Sequence, residues 1–355
     1  MGMLTGCGTP GIPLPPSLEL PKPVSDLHAF RKGNKVYLNW TAPARTTDSQ
    51  PIRHIGSTRI CRNDVSQKEC AAIAEASPAS RPGSASPKAN GAPPPAVLGS
   101  YVDNIPMQPV SNAFGNFIYA VEVLNDRGRS AGLSNQSKVP AAPTLPPPTN
   151  FAAEVTEGGV VLTWAPIPPK DWIAGLHYLY RIYRRERGSK PDTALGEIPL
   201  ETSQTGVVDH SFVDHTFEWE KRYSYHATGV TIVDRKGETE AQVEGEDTPP
   251  VTVFAHDIFP PSVPSGLQAV FASEDKKSFV DLVWNPDTDA DLAGYIVYRR
   301  EAGGTIAKIN SELVKTPAFR DQSVSSGKTY FYSVSGVDVR GNESARSREA
   351  SESIP

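Results

Sequence analysis

The sequence predicts an all-β chain built from three tandem copies of one small domain, and three observations support this. A short alternating apolar run closing on tryptophan occurs at Val36, Leu38 and Trp40, again at Val160, Leu162 and Trp164, and again at Val280, Leu282 and Trp284. Period-two alternation is the signature of a strand with one buried face. Each run leads through a polar turn into a second alternating run ending in arginine, as in Ser278–Arg300, Val160–Arg185 and, degraded, Val36–Arg62. The third observation is the 34 prolines, which oppose long helices because each interior proline removes a hydrogen bond and clashes with the preceding turn.

A length of 355 residues fits two or three domains. The net charge of -5, with both signs interspersed, gives no electrostatic footprint for nucleic acid. No apolar run approaches the roughly 20 residues of a membrane helix. Three cysteines are too few for a disulfide scaffold or a four-ligand zinc site.

Leu4-Thr5-Gly6-Cys7 resembles the lipobox of bacterial lipoproteins. That resemblance implies cleavage before Cys7 and lipidation of its thiol. No basic and apolar leader precedes the box here, so the reading expects an upstream start or a truncated fragment. Read by itself, Cys7 is a cysteine in a tail. The rest of 1–23 is proline-rich and suits an extended tether at about 3.1 Å per residue.

The first copy occupies 24–139. Thr58 and Ile60 continue the inward side of its next strand, with Arg59, Cys61 and Arg62 off that face. The Ala/Ser/Pro-rich stretch 77–95 reads as a disordered insertion, since it lacks apolar content to offset ordering entropy. Phe117, Tyr119, Val121 and Val123 then alternate inward. With Cys7 assigned to lipid, Cys61 and Cys70 remain as a candidate disulfide worth about 2.5–3 kcal/mol; the alternative is two free thiols. Residues 140–148, PAAPTLPPP, read as a semi-rigid linker. The second copy covers 149–247, a proline-rich join 248–264, and the third copy 265–353.

The copies are similar to fibronectin type III domains. The matching elements are the tryptophan closing the second strand, a Gly-Tyr-Ile-Val-Tyr-Arg-like third strand, and an aromatic-x-Asp element. That element is Tyr101-Val102-Asp103, Phe212-Val213-Asp214 and Phe319-Arg320-Asp321. A tyrosine then opens the sixth strand. The resemblance implies tandem antiparallel β-sandwiches of immunoglobulin-like fold, each with seven strands in two sheets. It implies core roles for Trp40, Trp164 and Trp284, and a corner hydrogen bond at Tyr223 and Tyr330. Phe117 holds that position in the first copy and has no hydroxyl to offer.

Residues that suggest chemistry are few. Asp287-Thr-Asp289-Ala-Asp291 begins like a calcium loop, but Leu292 and Tyr298 stand where glycine and glutamate are needed, so it reads as a polar turn. His210 and His215, five residues apart on a strand, point to opposite faces roughly 17 Å apart and read as surface groups. The pairs Arg184-Arg185 and Arg299-Arg300 suit an anionic-glycan patch or, more simply, charged strand edges. Trp172 and Trp219 lie outside the core pattern, as binding aromatics or packing groups. No catalytic or metal site and no cofactor is expected.

The expectation is a non-catalytic, lipid-anchored bacterial cell-envelope protein acting as a spacer or as a protein-interaction and adhesion arm. It would meet the membrane through its lipid and an unspecified protein or glycan, but no nucleic acid. The alternative is a carbohydrate- or polymer-binding accessory module. A hydrolase is disfavoured, because the one long insertion is poor in His, Asp and Glu.

Overall fold

The computed structural model describes residues 18–64, 68–78, 96–105, 113–189, 191–201, 210–234, 240–275 and 277–355. Among them every regular element is a β-strand. One compact unit reaches through residue 153 and includes 162–212 and 223–252; the other comprises 154–161, 213–222 and 253–355.

The first sandwich has strands β1 (His28–Lys32), β2 (Lys35–Thr41), β3 (Ile55–Asn63), β4 (Ala72–Ala76), β5 (Leu98–Asn104), β6 (Asn116–Asn125) and β7 (Ser137–Pro140). Strands β1, β2 and β5 lie side by side on one layer, and β4-β3-β6-β7 form the other. The alternation in β2 sends Val36, Leu38 and Trp40 into the core. There they meet Ile60, Phe117, Tyr119, Val121 and Val123. Gly99 has no side chain for a reason: a Cβ there would stand 2.3 Å from the Trp40 indole. In β3 the register shifts between Ile60 and Cys61, and both residues are fully buried. Against β6 the alternation holds: Ile60 pairs with Val121 of the core, whereas Cys61 pairs with Ala120 on the opposite face, where it is buried as well. Cys61 is disulfide-bonded to Cys70, with Cα atoms 5.1 Å apart.

The second sandwich follows with β8 (Thr149–Thr156), β9 (Gly159–Ala165), β10 (Leu176–Glu186), β11 (Thr193–Pro199), β12 (His210–Asp214), β13 (Arg222–Val233), β14 (Ala241–Asp247) and β15 (Val251–Phe254). One layer has the order β12-β9-β8; the other is β11-β10-β13-β14, with β15 also on β13. This second layer does not end at β14. Lys32 of β1 bridges Glu244 of β14 in parallel, and the Gly33 amide donates to the Glu244 carbonyl at 2.7 Å. One sheet therefore runs from β11 through β14 and β1 to β5.

Residues 140–148 are not an exposed spacer. Ala141, Ala142 and Leu145 are buried, Leu145 to 2 %. Thr231 donates to the Pro143 carbonyl at 2.8 Å, and the Arg31 guanidinium donates to the carbonyls of Pro140 and Ala142 at 2.6 and 2.8 Å. Gly229 and Gly245 admit the segment: a Cβ on either would fall 2.6 Å from the Leu145 Cβ or 2.3 Å from its carbonyl oxygen. Burying Leu145 contributes about 1.5–3 kcal/mol, less than the cost of ordering nine ordinary residues. The prolines narrow the gap, because their unfolded ensemble is already restricted.

In the other unit, the third sandwich pairs β16 (Gln268–Glu274), β17 (Lys277–Val283) and β20 (Ala318–Asp321) in one layer. The second layer is β18 (Leu292–Glu301), β19 (Ala307–Lys308), β21 (Thr329–Asp338) and β22 (Ala350–Ser353), ordered β19-β18-β21-β22. Val280, Leu282 and Trp284 pack on Tyr295, Val297, Tyr330, Tyr332 and Val334. The chain is thus all-β, with tandem antiparallel β-sandwiches.

Candidate functional site

Two of the sandwiches hold a buried charge at the same structural position. In the first, Asp103 Oδ2 accepts from Arg62 at 2.6 Å and from the Tyr119 hydroxyl at 2.7 Å. In the third, Asp321 Oδ2 accepts from Arg299 at 2.7 Å and from the Tyr332 hydroxyl at 3.0 Å. The aspartate comes from the aromatic-x-Asp element and the arginine from the third strand. The tyrosine lies two residues beyond the sixth-strand corner position. The matching residues of the second copy are Arg184, Asp214 and Tyr225. Sequence reading singled out the aspartate element but not its partners; the recurrence of Tyr-x-Tyr at 223–225 and 330–332 was the available signal.

These sites are structural. Burial first, and then the bond to the neighbouring carboxylate, hold the Tyr119 phenol far above its ordinary value of 10.0. Tyr332 is raised by burial and by Asp321. A phenol that keeps its proton in the folded chain and loses it in the unfolded chain makes unfolding release protons. Stability should therefore fall as pH rises past about 10. Denaturant midpoints between pH 8 and 11 should drop in wild type and drop less in Tyr332→Phe; equal slopes would refute the assignment.

The other singled-out residues are placed as follows. Cys7, and residues 79–95 of the insertion, lie outside the described residues. Trp40, Trp164 and Trp284 are buried, as are Tyr223 and Tyr330. The Tyr330 hydroxyl accepts from the Ser325 amide at 3.1 Å, and the Arg184 guanidinium lies 4.9 Å over the Tyr223 ring. His210 is not simply a surface group, since it stacks on Trp164 at 6.0 Å. His215 is exposed, with Nδ1 2.8 Å from the Gly158 carbonyl. Three of the four paired arginines meet carboxylates: Arg185 forks onto Asp192, Arg299 bonds to Asp321, and Arg300 forks onto Glu349. Trp172 is 41 % exposed and edge-on to Tyr178. Trp219 is half-buried between Phe217 and Phe259.

The polar turn contributes one carboxylate to a cluster. Asp257, Asp291 and Asp338 bring carboxylate oxygens within 4.8 Å of one another. Burial and the neighbouring carboxylates raise Asp291. Burial also pushes Asp338 upward, but bonds from Asn342, Arg340 and Gly341 outweigh it and hold Asp338 low. Asp257 accepts from the Phe259 amide. Three hard oxygen donors are the chemistry of a divalent-cation site, and backbone amides already engage two of the three groups.

The first sandwich carries an open aromatic surface. Phe30, Tyr37 and Val102 face one another across β1, β2 and β5 on the side opposite the core. Phe30 is 46 % and Val102 43 % exposed. The Phe30 and Tyr37 rings stack 4.9 Å apart, tilted by only 10°. The adjacent row is His28, Asn39 and Ser100, all exposed. Beyond the ends of β2 and β5 opens a groove of about 730 Å³. Its floor includes Pro43 and Ile52, and its rim includes Lys22, Asp26, Arg45 and Arg53.

No family model matches the chain. Over 240 residues it is 27 % identical to an exoglucanase B of Cellulomonas fimi, a match covering 65 % of this chain and 19 % of that protein. It is 38 % identical over 92 residues to an amylopullulanase of Thermoanaerobacterium saccharolyticum, covering 26 % of this chain and 7 % of the relative. Mouse protein sidekick-1 is 24 % identical over 242 residues, covering 63 % and 11 %. The chain thus spans less than a fifth of the length of each of these curated relatives. Its neighbours among solved structures are fibronectin type III proteins. The chicken CNTN1 FN1-FN3 domains are 13 % identical at a TM-score of 0.26, covering 94 % of this chain and 99 % of that one. An Fn3-like protein of Clostridium thermocellum is 30 % identical at a TM-score of 0.23, covering 27 % and 96 %.

Proposed function

We propose that the chain is a non-catalytic arm of a bacterial cell envelope, tethered by a lipid at Cys7, that holds binding surfaces away from the membrane. The observation that carries this reading is the continuity between the first two sandwiches. A spacer must resist bending, and here the joining segment is buried while one sheet crosses the junction. Charge reinforces the join. Lys32 lies 2.7 Å from both Glu244 and Asp247, and Glu244 also accepts from Arg181 at 2.9 Å and the Tyr183 hydroxyl at 2.5 Å.

The second reading, an accessory module for carbohydrate or another polymer, is favoured by the exposed Phe30–Tyr37 pair. It also agrees with relatives named exoglucanase and amylopullulanase, of which this chain matches only a part. Intact mass spectrometry of the protein expressed with its native upstream sequence tests the anchor. Cleavage before Cys7 with added acyl chains, both lost in Cys7→Ala, is the expected result. An unacylated mature chain would remove the membrane from the proposal. Turnover of glycoside, peptide or ester substrates by the purified chain would remove its non-catalytic part.

A further inference from the structure

The aromatic face and the groove of the first sandwich form one track. Thr41 closes the outward row of β2 and also lines the groove, and its amide donates to Asp26 at 3.1 Å. Along β2 the order is Tyr37, Asn39, Thr41, a distance of roughly 13 Å at strand spacing. A ligand lying along it meets aromatic rings first, then amide, hydroxyl and imidazole groups, then the cations of the groove rim. Those cations are Lys22, Arg45 and Arg53, against the single carboxylate of Asp26, which is already bonded to Thr41. Among the described residues neither Lys22 nor Arg53 forms an ion pair; Arg45 donates to the Ser49 carbonyl. This local positive excess stands out on a chain of net charge -5. It differs from Arg185, Arg299 and Arg300 of the later sandwiches, each of which faces a carboxylate.

We infer that this track binds an anionic polysaccharide, with sugar rings stacked on Phe30 and Tyr37 and acidic groups held by Lys22, Arg45 and Arg53. In this parallel stack each ring has one face turned away from the other, and an exposed ring face suits the C–H face of a pyranose. Hydrogen-bonding side chains one residue pair away suit hydroxyls. Charge complementarity selects an acidic chain over a neutral one. A peptide would instead add to the β5 edge that ends this sheet, away from the stacked rings of β1 and β2. The inference rests on the reading of the chain as a binding arm and names the class of its ligand.

Affinity electrophoresis of the whole chain tests it, with polygalacturonate in the gel as the acidic probe. Hydroxyethylcellulose serves as the neutral probe and poly-L-glutamate as a soluble competitor. Wild type should be retarded by polygalacturonate, less so as salt rises, and not by hydroxyethylcellulose. Phe30→Ala and Arg53→Glu should each weaken retardation by at least about fivefold, while Phe30→Trp should retain it. Unchanged thermal midpoints would show that these exposed substitutions leave the fold intact. The inference is overturned by absence of retardation in polygalacturonate, or by equal retardation in the neutral gel. It is also overturned if neither variant has an effect, or if poly-L-glutamate displaces the chain equally well from wild type and Phe30→Ala, which would mark a peptide or plain charge site. Acylation at Cys7 is measured separately, so loss of the glycan leaves the anchored-arm reading standing.

Discussion

Replacing Asp103 with alanine is expected to cost the first sandwich about 3 kcal/mol, near the lower end for breaking a buried ion pair. Two groups lose their partner at once. The Arg62 side chain is 22 % exposed and can swing partly into water, which limits the penalty. The Tyr119 hydroxyl is fully enclosed and cannot, and an orphaned buried donor costs about 1–3 kcal/mol. Asp103→Asn keeps an acceptor but removes the charge, so its cost should fall between those of wild type and alanine. Asp321→Ala should behave alike in the third sandwich, where Arg299 is also 22 % exposed and the carboxylate only 3 %. Against a domain stability of about 5–15 kcal/mol, either loss is large. Urea unfolding of the full chain, followed by tryptophan fluorescence, should show the affected transition moving to lower denaturant. A shift below about 0.5 kcal/mol, typical of a surface site, would show that these aspartates do not hold the layers together.

What could be read from the sequence was whatever has period two and short range. Val160, Leu162 and Trp164 declare a strand, and the aromatic-x-Asp elements declare a position in it, without knowledge of any partner. The carboxylate's partners were harder, because Asp103 finds Arg62 and Tyr119 only across two sheets. Attention to Phe117 as the corner residue passed over Tyr119, whose hydroxyl makes the buried bond. Cys61 was placed off the inward face, and it is, opposite Ala120; alternation could not say that this outer face would be covered too. Composition described 140–148 correctly as proline-rich, but composition cannot say that Leu145 has a place to go. That place exists because Gly229 and Gly245, about a hundred residues downstream, carry no side chains. The open track was least legible of all: Phe30, Tyr37 and Val102 become neighbours by strand register, and the groove rim is gathered from separate loops.

The dependence on glycine gives the second large effect. Gly245→Val should expel 140–148 from its seat, since the first added carbon would stand 2.3 Å from the Leu145 carbonyl oxygen. Backbone cannot yield as a flexible side chain can, so the segment must move or the strand must. Overpacking of this kind costs about 1–3 kcal/mol, to which is added the lost burial of Leu145, about 1.5–3 kcal/mol. Each sandwich keeps its own core, because neither tryptophan cluster uses these atoms. The damage should therefore fall on the coupling between the sandwiches. In wild type the two should unfold as one calorimetric transition; in Gly245→Val they should separate, and protease should cut within 140–148 before either core opens. Glu244→Gln should weaken the same join more mildly, because it removes one charge from the junction and leaves the linker seated. If Gly245→Val unfolds in a single transition and resists cleavage like wild type, the join is not what makes the arm stiff, and each sandwich must be treated as an independent bead on a proline thread.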